Sequence, residues 1–234
     1  MRCAGQRRDS TPLIGILGGT FDPVHLGHLH AARSVCDRLG LASVHLMLSA
    51  RPGHRDAPLA PMAARWEMLR LACAEDLRLV PDDRELRRAE RIGRPSWTVE
   101  TLEEMRAETP HESVAWVIGS DALAGLDTWH RWTELLDLAH LVVLRRPGAE
   151  LPASGPVAAL LAAARADADD PTFRQTPQGT IVVLDVPMLR VSATSVRSAL
   201  GAGRSVDDLL PRSVSTYIWQ HQLYGVRSDP GSTA

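Results

Sequence analysis

Hydrophobic and polar positions follow two rhythms along this chain. Short unbroken apolar runs occur as LIGIL at 13–17, SVHLML at 43–48, SVAWVIG at 113–119, HLVVL at 140–144 and TIVVLDV at 180–186. They are too short for helices and read as strands buried on both faces. A fainter run at 77–80 reads as one more short strand. Between the strands, apolar positions recur at helical spacing. Leu26, Leu29, Ala32, Val35 and Leu39 predict a helix over 26–39 that stops at Gly40. The same spacing predicts helices over 62–74, 96–108, 128–139, near 156–166, over 192–203 and over 211–223. Residues 49–61 are rich in Pro and Gly and read as a loop. The stretch 145–178 gives only a weak signal outside its one Ala/Leu-rich helix, and for residues 149–178 a lid, an interface or a disordered insert would each fit.

Strands alternating with helices predict an α/β fold. The expected form is a Rossmann-like, doubly wound, mostly parallel sheet with helices on both faces and a C-terminal helical portion. Residues 12–225 are expected to form one domain, with disordered ends at 1–11 and 226–234. Such sheets bind ligands beyond the carboxyl ends of their strands. That places the candidate site where strands hand over to helices, at 18–28, 49–55, 119–121, 145–146 and 187–197.

Composition narrows the chemistry. The 234 residues are 44% apolar and 23% charged, as in an ordinary globular protein. A net charge of −2 argues against a non-specific nucleic-acid binder. All 26 Lys+Arg residues are arginine, so a phosphate must be held by Arg, His, hydroxyls or backbone N–H. Cys3, Cys36 and Cys73 are odd in number and widely spaced, as for free thiols in a reducing compartment. Arg7-Arg8 lacks a following apolar segment, and no apolar run approaches the ~20 residues that span a bilayer. A cytoplasmic protein without membrane or nucleic-acid partners is expected, and a homo-oligomer is compatible with the sequence.

Chemistry concentrates in GGTFDPVHLGH at 18–28. It is neither a Walker loop nor G-x-G-x-x-G. Gly18-Gly19 allows a close backbone approach, Thr20 offers a hydroxyl, and Asp22-Pro23 turns the chain into a helix whose N-terminal amides attract anions. His25 and His28 lie three apart on one helix face, while His30 points elsewhere and reads as structural. The residues alone leave three readings open: a zinc pair, structural histidines, or a phosphate contact. A second anion site is suggested at Ser192–Arg197. There Ser192 can cap a helix, and Thr194 and Arg197 share a face.

Together these segments resemble the nicotinate mononucleotide adenylyltransferase family. GGTFDPVHLGH is similar to its G-G-T-F-D-P-x-H-x-G-H signature, and VSATSVR at 191–197 to its I-S-x-T-x-x-R signature. IGSDALAGLDTWHRW at 118–132 resembles the segment that sets this family apart, and the likeness spans roughly residues 13–225. The resemblance implies direct adenylyl transfer from ATP to nicotinate mononucleotide, with Mg2+ carried on the triphosphate. It implies catalytic roles for His28, His25 and Arg197. ATP contacts fall to Gly18, Gly19, Thr20, Phe21, Gly119, Asp121, Ser192, Thr194 and Ser195. Mononucleotide contacts fall to Trp129, His130, Thr98, His54, Arg55 and Arg146. Trp129, read at a helix start, would stack on the nicotinate ring while free amides there favour a carboxylate. A related enzyme acting on nicotinamide mononucleotide or phosphopantetheine would share the two end motifs.

Overall fold

The computed structural model describes residues 13–50, 57–94, 96–187 and 189–226. Seven strands form one sheet in the order β3-β2-β1-β4-β5-β7-β6, with every pair parallel. They are β1 (Leu13–Gly19), β2 (Val44–Leu48), β3 (Leu79–Asp82), β4 (Ser113–Gly119), β5 (His140–Arg145), β6 (Arg165–Ala166) and β7 (Ile181–Asp185). The connecting helices are α1 (Leu26–Leu39), α2 (Met62–Cys73), α3 (Arg84–Ile92), α4 (Thr98–Glu108), α5 (Ser120–Ala124), α6 (Gly155–Ala164), α7 (Pro171–Gln175), α8 (Ala193–Gly201) and α9 (Arg212–Gln220).

Side chains alternate across each strand, so unbroken apolar runs feed two cores at once. Ala115, Val117, Val142, Leu144, Val182 and Leu184 face one layer, built with α1, α2, α8 and α9. Val114, Trp116, Ile118, Leu141, Val143 and Ile181 face the other, built with α4 and α6. The strand order reverses direction between β1 and β4, which opens a crevice at their carboxyl ends.

Four expectations need correction. No single helix covers 128–139. Two 3-10 helices, Leu126–Thr128 and Trp132–Asp137, stand there with Trp129 ending the first. The short strand falls at Leu79–Asp82 rather than 77–80, because its pairing with β2 begins at Leu79↔Val44. The stretch 145–178 is ordered into α6, β6 and α7, with Phe173 fully buried against His140. Val226, assigned to a tail, is buried in the first core. Helix α3 also went unrecognised, since the residues it buries are Glu85, Arg88 and Ala89 rather than an apolar stripe.

Candidate functional site

The last two residues of β1 are Gly18 and Gly19, and a ring lies against each of them. A Cβ on Gly18 would come within 2.9 Å of Trp116, on the neighbouring strand, and one on Gly19 within 2.7 Å of Phe21. Packing alone thus requires glycine at both positions, whatever else approaches their backbone. Phe21 turns back beneath Gly19 with a left-handed backbone (φ 45°), and the Asp22–Pro23 peptide is cis.

Asp22 is the hub of this turn. Its carboxylate accepts from the amides of Leu59 (2.8 Å) and Ala60 (3.1 Å) and from the Tyr224 hydroxyl (2.8 Å). Its main-chain carbonyl accepts from Arg197 at 2.7 Å. The burial of Tyr224 and its contact with the Asp22 carboxylate keep its hydroxyl protonated, well above the usual range.

His25 caps α1. Gly27 lets the His25 ring fold over the first turn: a Cβ there would meet Val191 at 2.8 Å and the His25 ring at 3.1 Å. The two imidazoles stack at 3.7 Å between centroids, and Phe21 meets His28 edge-on at 4.9 Å. His25 is buried, and burial holds its pKa down to about 4, so it is neutral at neutral pH. Its buried Nδ1 has no hydrogen-bond partner among the described residues and faces Gly27. The His25 amide donates to His28 Nδ1 at 3.3 Å. A ring nitrogen that accepts carries no proton, so neutral His28 keeps its proton on Nε2.

Helix α8 arrives beside α1. Ser192 caps it reciprocally: Ser195 N donates to Ser192 Oγ at 3.1 Å, and Ser192 N donates to Ser195 Oγ at 3.0 Å. Arg197 reaches Thr194 Oγ1 at 3.4 Å as well as the Asp22 carbonyl. Val191 packs on Gly27, and His30 Nε2 lies 2.6 Å from the Pro187 carbonyl. The two motifs, 160 residues apart or more, thus share one wall. The amides at the start of α1 are not all free, since Leu26 N donates to the Leu209 carbonyl at 2.9 Å.

Across the crevice, Gly119 ends β4 beside β1. Arg146 pairs with Asp121 at 3.2 Å, joining the ends of β4 and β5. Trp129 is half-buried, and its amide donates to the Leu126 carbonyl at 3.0 Å, so it is not the free donor expected there. The next two amides, of His130 and Arg131, donate to no backbone carbonyl among the described residues. His130 lies 5.2 Å from the Trp97 ring, which precedes Thr98 at the start of α4. His54 and Arg55 lie outside the described residues. Among the described residues, no three His, Cys, Asp or Glu side chains converge to hold a metal ion. No helix among them is long and apolar enough to cross a membrane. Cys36 and Cys73 are buried free thiols, that of Cys73 pushed up to about 12 by burial.

Sequence reasoning passed over the Asp22 carboxylate, Arg65, Trp97 and Tyr224. Arg65 carried a signal: it interrupts the buried stripe of α2 formed by Ala64, Met68, Leu69 and Ala72. Tyr224 carried none, being 202 residues from its partner.

Comparison with known proteins bears on the family and the fold. The cytidylyltransferase-like family model matches residues 16–199. A relative from Cellvibrio japonicus, named "Probable nicotinate-nucleotide adenylyltransferase", is 46% identical over 214 residues, covering 91% of this chain and 99% of its own. One of the same name from Pseudomonas aeruginosa is 45% identical over 214 residues, covering 90% and 96%. Among solved structures, Plasmodium falciparum nicotinic acid mononucleotide adenylyltransferase complexed with NaAD superposes with a TM-score of 0.68 at 14% identity. It covers 92% of this chain and 98% of that one, a likeness of fold.

Proposed function

The chain belongs to the cytidylyltransferase-like family and, within it, to the nicotinate-nucleotide adenylyltransferases, and on that premise we propose how its site works. The reaction is adenylyl transfer from ATP to nicotinate mononucleotide, giving nicotinate adenine dinucleotide and pyrophosphate. A 5′-phosphate oxygen of the mononucleotide attacks the α-phosphorus of ATP in line. The bond from that phosphorus to the bridging oxygen breaks, and pyrophosphate leaves with the electron pair. The nucleophile is already an anion, so positioning and charge stabilisation carry the rate. A divalent cation, Mg2+ on this reading, arrives on the triphosphate.

The observation that carries the proposal is the docking of the two motifs through Arg197 and the Asp22 carbonyl. It sets the N-termini of α1 and α8 together beside the β1–β4 crevice, two positive helix ends with one guanidinium between them. We assign His28 Nε2–H to the α-phosphate, with the stacked, neutral His25 beside it. Arg197, Ser192, Thr194 and Ser195 take the β- and γ-phosphates. Backbone at Gly18, Gly19, Thr20 and Phe21 lines the nucleotide, and Gly119 and Asp121 face adenosine. Trp129 stacks on the nicotinate ring and Thr98 flanks the mononucleotide, while Arg146, held by Asp121, stands at the rim. The correction at Trp129 moves the carboxylate donors one residue along, to the amides of His130 and Arg131.

Incubation with Mg-ATP and nicotinate mononucleotide tests this. The dinucleotide and pyrophosphate should appear in equal amounts. Absence of dinucleotide contradicts the reading, and ATP–pyrophosphate exchange without the mononucleotide contradicts direct attack.

A further inference from the structure

Arg65 is a charged side chain in the protein interior, 1% exposed, on the face of α2 that packs against the sheet. One guanidinium nitrogen donates to the carbonyls of Thr20 and Ser49, each at 2.8 Å, and the other to the Ala50 carbonyl at 2.9 Å. These three carbonyls belong to the two turns that leave the carboxyl ends of β1 and β2.

The Thr20 carbonyl and the Phe21 amide are the two ends of one planar peptide and point in opposite directions. Holding the carbonyl therefore fixes where the amide points. Phe21 needs this restraint, since a bulky residue at φ 45° lies in a sparsely populated region that persists only when its surroundings impose it. Asp22 holds the far side of the turn through Leu59 and Ala60, and Arg65 holds the near side.

We propose that Arg65 is a positioning residue for the transfer: it aims the Phe21 amide at the nucleotide and locks the turn after β1 to the end of β2. The proposal rests on the adenylyl-transfer reading above. A planar fork that reaches three carbonyls at once is a task for Arg, and a lysine ammonium at the end of a flexible stem cannot reproduce it.

Arg65→Lys tests this, with Arg70→Lys one turn away, on an exposed pair with Glu67, as the control. Rates are taken per folded molecule, with folding read by circular dichroism and thermal melting. Arg65→Lys should lower kcat about 10²-fold, as expected for a misplaced reacting geometry. KM for nicotinate mononucleotide should stay close to that of the unsubstituted protein, and Arg70→Lys should change neither. A lower Tm with unchanged kcat per folded molecule would make Arg65 a stability residue and overturn the proposal. Failure of both Arg65→Lys and Arg65→Gln to fold would overturn it in the same sense. If the unsubstituted protein makes no dinucleotide, the reaction assigned above fails instead, and the two failures are told apart.

Discussion

His25 and His28 carry the same side chain three positions apart, yet the fold gives them different states. His25 lies behind, buried and neutral, with its Nδ1 turned to Gly27. His28 lies in front, with Nδ1 accepting from the His25 amide, which leaves Nε2 to carry the proton when the ring is neutral. The first ring supports the second by stacking, and the second offers a directed N–H. Removing one donor that acts in the transition state lowers kcat on the order of 10²–10³-fold. We expect His28→Ala to do so, measured as steady-state dinucleotide formation; a near-normal kcat would make His28 structural. The spacing of the histidines was legible in the sequence. Their division of labour was not, because it depends on a stacking geometry and on one amide direction.

At the scale of elements, the site is made where the segment leading into α8 docks onto the start of α1. The contact is at Gly27, whose missing Cβ accommodates both Val191 and the His25 ring. Gly27→Ala should separate the two helix starts. Overpacking of this kind typically costs about 1–3 kcal/mol. A thermal melt should show that loss together with a fall in kcat/KM; unchanged values of both would show that the contact is slack. Element type was readable wherever one period dominated. It failed where periods overlap: Trp129, Trp132, Leu135 and Leu138 recur every three residues, which suits a 3-10 helix as well as an α-helix. It failed also at α3, whose buried Glu85 and Arg88 meet Thr101 of α4. No apolar pattern announces a polar contact.

At the scale of the whole molecule, the parallel sheet and its crevice were legible because apolar runs that feed two cores leave little choice of architecture. What ties the crevice together was not. Asp22 joins three distant parts of the chain, at Leu59-Ala60, Arg197 and Tyr224, and such a hub exists only once the fold has formed. The same holds for the basis of substrate choice proposed here, since the amides of His130 and Arg131 lie in a turn between two 3-10 helices rather than at a helix start. Hydrogen bonds to a charged acceptor contribute about 1.5–3 kcal/mol, or about tenfold or more in selectivity. Nicotinate and nicotinamide mononucleotides, mixed at equal concentration with limiting Mg-ATP, test this claim most directly through the ratio of the two dinucleotides formed. The account predicts that the acid product exceeds the amide product by about tenfold or more. Equal amounts, or an excess of the amide product, would contradict it.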